Sequence, residues 1–271
     1  MKGRIFTVIV CILNLPIWAL KNDPWIPPPY EFQSSALYAF SYFPYVDSAI
    51  NPTDYSSYIN QMVLEIGASA TTDLFFELEV EFDDTRRLSF NLESVSPSIK
   101  YQLMNDLTGD MVALTFGGYF RYVPYDRLSD VATPYSGEYN FDLTGSIGKE
   151  FNQYEKITGS FYALLDVGLA TVGKPWILGD IMGQCCFLKK NFFAMGAEGY
   201  FGFGDQTVVN IDSFNGYGNI SHNSLDVKAS YKYKFDVWGE ISLMYKSRVF
   251  AYRYPADLNY IGIKYELMFS F

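Results

Sequence analysis

Between Gln61 and Phe271 the side chains keep a period of two, and that rhythm restricts what this chain can fold into more than any other property it has. The last eleven residues place Ile261, Ile263, Tyr265, Leu267, Phe269 and Phe271 at odd positions, with Lys264, Glu266 and Ser270 among the even ones. Such alternation marks a β-strand whose two faces meet different media, one apolar and one wetter. The same pattern recurs upstream. Leu74, Phe76, Leu78, Val80 and Phe82 interleave with Glu77, Glu79 and Glu81, and Leu225, Val227, Ala229 and Tyr231 interleave with Asp226, Lys228, Ser230 and Lys232. The spacing predicts about twelve antiparallel strands over 61–271 and no amphipathic helix.

Strands of this length, with aromatic residues at their ends, suit tilted spans through a bilayer. A soluble two-sheet sandwich alternates in the same way. Two observations favour the membrane. Aromatic residues make up 18% of the chain, and Tyr119, Tyr122, Tyr125, Tyr135, Tyr139, Trp176, Trp238, Phe250, Tyr252, Tyr254 and Tyr260 gather near strand ends, where amphipathic rings sit at head-group level. The closing stretch 261–271 also resembles the C-terminal strand of bacterial outer-membrane β-barrels, with alternating apolar residues that end in Phe. That resemblance implies an all-β fold, a single antiparallel transmembrane barrel of about twelve strands in the bacterial outer membrane, with membrane lipids and, through the strand ending in Phe271, the barrel assembly machinery as partners.

The rest of the chain agrees with a secreted protein. Met1-Lys2-Gly3-Arg4, the apolar run Ile5–Leu15 and the small residue Ala19 read as a signal peptide over 1–19. Residues 20–60 carry Pro24, Pro27, Pro28 and Pro29, then the aromatic stretch 37–45. We expect a periplasmic or luminal segment here, either a partial plug or a linker, with the barrel proper over 61–271. The net charge of −10 excludes a nucleic-acid partner. Cys185 and Cys186 are adjacent and would point to opposite faces of a strand, so neither a disulfide framework nor a metal site is expected, and no cofactor. With about twelve strands beginning near Gln61, the long gaps at 123–137, 204–222 and 251–258 fall outside the cell together with short ones at 71–73, 94–96 and 172–175. The tight gap at 83–87 falls inside.

Parity also assigns an inner face. It sets Glu77, Glu79, Glu81 and Asp142 against Arg121, Lys228, Lys232, Lys246 and Arg248, most acids coming from the first half of the chain and most bases from its last strands. Segregated charges of this kind resemble the constriction of porins, or serve as salt bridges that fill a lumen. Twelve strands give a backbone diameter of roughly 24 Å, narrowed further by Tyr162, Phe192, Tyr200, Trp238 and Met244. The expected function is a narrow channel or solute transporter for small solutes, without catalysis. Two alternatives stand beside it. His222-Asn223-Ser224 resembles the His-x-Ser of outer-membrane phospholipase A and lipid A deacylases, although its parity points inward and Asp236 is the sole acidic candidate for the third group. The other alternative is a structural or adhesive barrel without transport.

Overall fold

The computed structural model describes residues 23–153, 157–235 and 238–270. The predicted leader, Asp236 and Phe271 lie outside them. Twelve long strands form one closed antiparallel barrel: β1 (Glu31–Phe43), β2 (Ser57–Ser69), β3 (Leu74–Thr85), β4 (Asn91–Met104), β5 (Ala113–Tyr122), β6 (Tyr139–Gln153), β7 (Ile157–Ala170), β8 (Trp176–Phe187), β9 (Asn191–Phe203), β10 (Ser221–Phe235), β11 (Gly239–Tyr252) and β12 (Asn259–Ser270). Neighbours in sequence are neighbours in space. β12 returns to β1, with Glu31 opposite Ser270 and Tyr42 opposite Asn259, so the sheet has no free edge.

Alternation becomes an inside and an outside. Phe40, Leu64, Leu78, Leu103, Phe141, Leu165, Phe201, Leu243 and Ile261 are exposed on the outer face, and Leu143 is 74% exposed. A continuous apolar band of this kind is the surface a transmembrane barrel offers to hydrocarbon. The inner face is polar over much of its area and apolar where Leu37, Ala39, Val63, Tyr162, Met182, Ala194 and Met244 pack together.

Two elements differ from the expectation. The barrel begins at Glu31, not near Gln61: β1 pairs with β2 on one side and β12 on the other. Its inward residues include Leu37, Ala39 and Phe43, which pack in the apolar part of the lumen, so the contrast between apolar and polar faces is weak along this strand. Second, the stretch 88–104, which broke into two pieces at 94–96 by pattern, contains one strand. A β-bulge opposite Glu81 and Phe82 inserts Glu93 between the paired residues Leu92 and Ser94, and the parity of the outward side chains flips there. One strand gained and one lost leave the total at twelve.

These changes move loops between ends. The connections 44–56, 86–90, 123–138, 171–175, 204–220 and 253–258 share one end, and the short turns 70–73, 105–112 and 188–190 share the other with Glu31 and Ser270. The turn at 71–73 therefore belongs to the short-turn, periplasmic end, and 83–87 to the long-loop, outer end.

Candidate functional site: the charged lumen

All nine residues singled out by parity lie on the inner face, and the basic ones are held in ion pairs on their own wall. Lys228 Nζ sits 2.9 Å from Asp180 Oδ2 and 2.8 Å from Glu198 Oε2. Lys246 Nζ lies 3.6 Å from Glu198 and 3.4 Å from Asp226. Arg248 donates from Nε and Nη2 to the two oxygens of Asp226, at 2.7 and 3.0 Å, the two-pronged geometry that makes Arg–carboxylate pairs strong. Lys232 donates to Glu240 at 2.7 Å, and Lys264 to Glu65 at 2.6 Å. The wall built by β8 to β12 thus carries cations and carboxylates side by side.

Carboxylates dominate the facing wall. Glu77, Glu79 and Glu81 follow one another along the inner face of β3, with Glu93 and Asp142 nearby on β4 and β6, and all are buried. Arg121 on β5 approaches Glu79 at 3.5 Å and donates from Nε to Ser96 at 2.9 Å. Glu81 accepts from the hydroxyls of Tyr135 and Ser94, and Asp142 from the indole N–H of Trp176 at 3.0 Å.

The lumen is not solid. A central cavity of about 380 Å³ lies between the walls, with Glu79, Lys100, Lys228, Lys232 and Lys264 among its lining. A second, of about 270 Å³, lies toward the long loops; Arg121, Glu198, Lys246 and Tyr260 border both.

Each end is covered by the chain itself. At the outer end the loops are knitted together: Tyr45–Val46 pairs with Pro255–Ala256, and Ala49–Ile50 with Val209–Asn210. Beneath them Phe214, Tyr217, Tyr254 and Leu258 are buried. Arg127, in a short 3-10 turn, reaches down to Asp83 at 2.7 Å and to the carbonyls of Ser89 and Leu92. At the short-turn end residues 23–30 cross the mouth as a strap. The Pro24 carbonyl accepts from Gln102 and Thr115, Trp25 Nε1 donates to Asp106 at 2.8 Å, and the Pro27 carbonyl accepts from Ser69 at 2.8 Å. Gly148 leaves the space that Pro24, Trp25 and Tyr162 occupy; a Cβ there would stand about 3 Å from all three. Burial pushes the Asp23 carboxyl up to about 7, against the opposing pull of Lys100 and Lys232.

His222 and Ser224 point into the lumen, away from lipid. The imidazole is 1% exposed. It stacks on Tyr254 with centroids 5.1 Å apart, is flanked by Tyr200 and Tyr217, and directs Nδ1 at the carbonyl of Ile220, while Nε2 has no hydrogen-bond partner. Gly202 lies directly across the ladder and makes room for the ring.

Several rings sit where sequence did not put them. Tyr125, Tyr139, Phe250, Tyr252 and Trp238 are exposed at the barrel ends and Tyr122 is half-buried there, but Tyr135, Trp176, Tyr254 and Tyr260 are buried inside, where they line the outer cavity with Tyr119. Trp238, expected to narrow the lumen, is 75% exposed in the β10–β11 turn. Asp180 and Glu198 escaped notice because they stand in glycine-rich strands. Their signal was present all the same, since each lies at a position opposite in parity to the outward Ile181 and Ala197.

No family model matches this chain, and no curated protein resembles it significantly. Its fold does resemble solved outer-membrane barrels. An outer membrane channel from Pseudomonas putida F1 superposes with a TM-score of 0.66 at 11% identity, over 93% of this chain and 100% of that one. The NanC porin superposes with a TM-score of 0.54 at 10% identity, over 86% and 98%. The likeness is one of fold: this chain has the closed antiparallel β-barrel fold of bacterial outer-membrane proteins.

Proposed function

We propose that this barrel is a narrow diffusion channel for small polar solutes, closed in the form described here by its outer loops and by the strap. The observation that carries the proposal is the pair of adjoining, charge-lined cavities inside a twelve-stranded wall. A barrel with a purely structural or adhesive role has no need of an unfilled, ion-paired interior, whereas fixed charges around a cavity bias which solutes pass. The solved relatives in fold are described as a channel and a porin, which agrees. Charge is distributed as one compensated wall and one acidic wall, a refinement of simple opposition between acids and bases. We read His222 and Ser224 as part of the packing under the outer loops and not as a hydrolase pair, since lipid does not reach them. The alternating strand β12 is proposed as the segment that the assembly machinery recognises.

Planar-bilayer recording of the refolded full-length protein tests the channel. Small, defined conductance steps are expected, with selectivity moving toward cations in Lys232→Glu, because that change adds negative charge beside the central cavity. A bilayer that stays sealed under all conditions would overturn the reading.

A further inference from the structure

We propose that the neck between the two cavities binds a compact zwitterion, an α-amino acid with a small side chain, whose carboxylate meets Lys246 and whose ammonium meets Glu198. The inference deepens the channel reading by naming a solute class, and it rests on that reading for the route by which the solute arrives.

The strand register builds the site. Asp180, Glu198 and Asp226 stand side by side across β8, β9 and β10, and Lys228 and Lys246 stand side by side across β10 and β11. Pairing within this group is uneven. Lys228 takes Asp180 Oδ2 and Glu198 Oε2 at 2.9 and 2.8 Å, and Arg248 takes both oxygens of Asp226. Lys246 Nζ is left 3.4 Å from Asp226 Oδ2 and 3.6 Å from Glu198 Oε1, with none of the 2.6 to 2.9 Å hydrogen bonds that hold Lys228, Lys232 and Lys264. The Lys246–Glu198 pair is therefore loose, longer than a hydrogen bond. Its two side chains are 23% and 20% exposed, and both border the central and the outer cavity. Each keeps hydrogen-bonding capacity for a molecule that enters between the cavities.

Distance selects that molecule. In an α-amino acid the nitrogen and the nearer carboxylate oxygen stand about 3 Å apart, from standard bond lengths and angles, close to the separation of Nζ and Oε1. Such a solute lies head to tail beside the pair, and the four charges alternate around a square in which each neighbouring contact is attractive. An ion of single charge has no such balance. A carboxylate drawn to Lys246 also nears Glu198 and Asp226, and an ammonium drawn to Glu198 also nears Lys246 and Lys228, in an interior where charges are weakly screened. Repulsion of this kind rejects the wrong solute as attraction holds the right one. The cavities, of about 380 and 270 Å³, lie near the lower bound for small-molecule sites. Leu178, which also borders both, offers an apolar contact to a short side chain.

Titration calorimetry on the refolded full-length protein, in a non-ionic detergent at low ionic strength, compares alanine with three molecules of its size. Propionate lacks the ammonium, ethylammonium lacks the carboxylate, and lactamide carries neither charge. Alanine is expected to bind at least about tenfold more tightly than each of the others. Lys246→Gln should bring alanine to or below the level of ethylammonium, because Glu198 keeps its attraction for an ammonium while the carboxylate loses its partner. Binding of any one of the three as tight as that of alanine, or no binding of alanine, would overturn the proposal. An alanine preference undiminished in a folded Lys246→Gln protein would do the same. The comparison among the four molecules needs only the wild-type chain, so it stands even if the variant does not fold. Bilayer recording of the same preparation keeps the two readings apart. Alanine binding with a sealed bilayer removes the channel and keeps the site, and conductance without alanine binding removes the site and keeps the channel.

Discussion

Lys228 shows what a single inward position can control. Its ammonium is buried between Asp180 and Glu198, which oppose each other directly across the β8–β9 ladder. Like charges at directly opposed positions repel, and here the lysine between them turns repulsion into a three-membered ion pair. Lys228→Met keeps most of the unbranched stem of the side chain but removes the charge, and breaking a buried pair in this way costs about 3–5 kcal/mol. A lower urea midpoint for unfolding from detergent micelles is the expected outcome, with partial recovery in the double variant Lys228→Met, Asp180→Asn. A midpoint equal to wild type would mean that water reaches this site far more freely than its burial implies. At this scale parity can name the face of a charge, because on a strand a residue's face follows from its number alone. It did not name the partners. Whether Lys232 meets Glu240 or an acid across the lumen depends on barrel closure and side-chain reach, and neither is written in the local pattern.

Among the elements, β1 was hidden for a physical reason. Reading alternation requires contrast between faces, and β1 presents aromatics outward and small or apolar residues inward, since its inner side joins the packed part of the lumen. The bulge in β4 disguised the other element, because one inserted residue reverses parity and a single strand then reads as two. The strap before β1 could be placed only by structure. Its proline-rich chain cannot join a ladder, and what fixes it across the mouth is a set of side-chain hydrogen bonds to its carbonyls. If the strap limits passage, Gly148→Val, which fills the space of Pro24 and Trp25, raises unitary conductance while leaving heat-modifiable mobility on gels unchanged. Acidity offers a second handle. Seating raises the Asp23 carboxyl from 3.8 to about 7, so the seated strap takes up a proton more readily than the free one, and its stabilisation is fully present below about pH 4 and lost as pH rises through 7. Conductance is therefore expected to be greater at pH 8 than at pH 5. Asp23→Asn should flatten that difference, although Lys100, Lys232 and Glu266 face the same group and retain their own dependence. A pH response identical in Asp23→Asn would assign the effect to those lumen groups.

At the scale of the whole molecule, the period of two was legible because it has one cause along the entire chain, a closed sheet with hydrocarbon outside and polar groups within. A sandwich has the same period, but its apolar faces meet in a protein core, so the two folds diverge when an outward apolar residue becomes charged. Leu165 is 56% exposed near the middle of β7, and in a bilayer Leu165→Lys places an ammonium close to the hydrocarbon midplane at a cost of about 2–4 kcal/mol. Ser230, which lines the central cavity, supplies the contrast: Ser230→Lys puts the same charge on the polar side at much smaller cost. Folding into lipid vesicles across a urea series, followed by heat-modifiable mobility, should show a loss for Leu165→Lys several times that for Ser230→Lys. The difference should grow as lipid chains lengthen, because a thicker hydrocarbon layer leaves the lysine less chance to reach the interface. If instead the outward lysine were harmless and the inward one destabilising, water and not lipid would be the outer medium. The assignment of inside and outside on every strand would then have to be reversed.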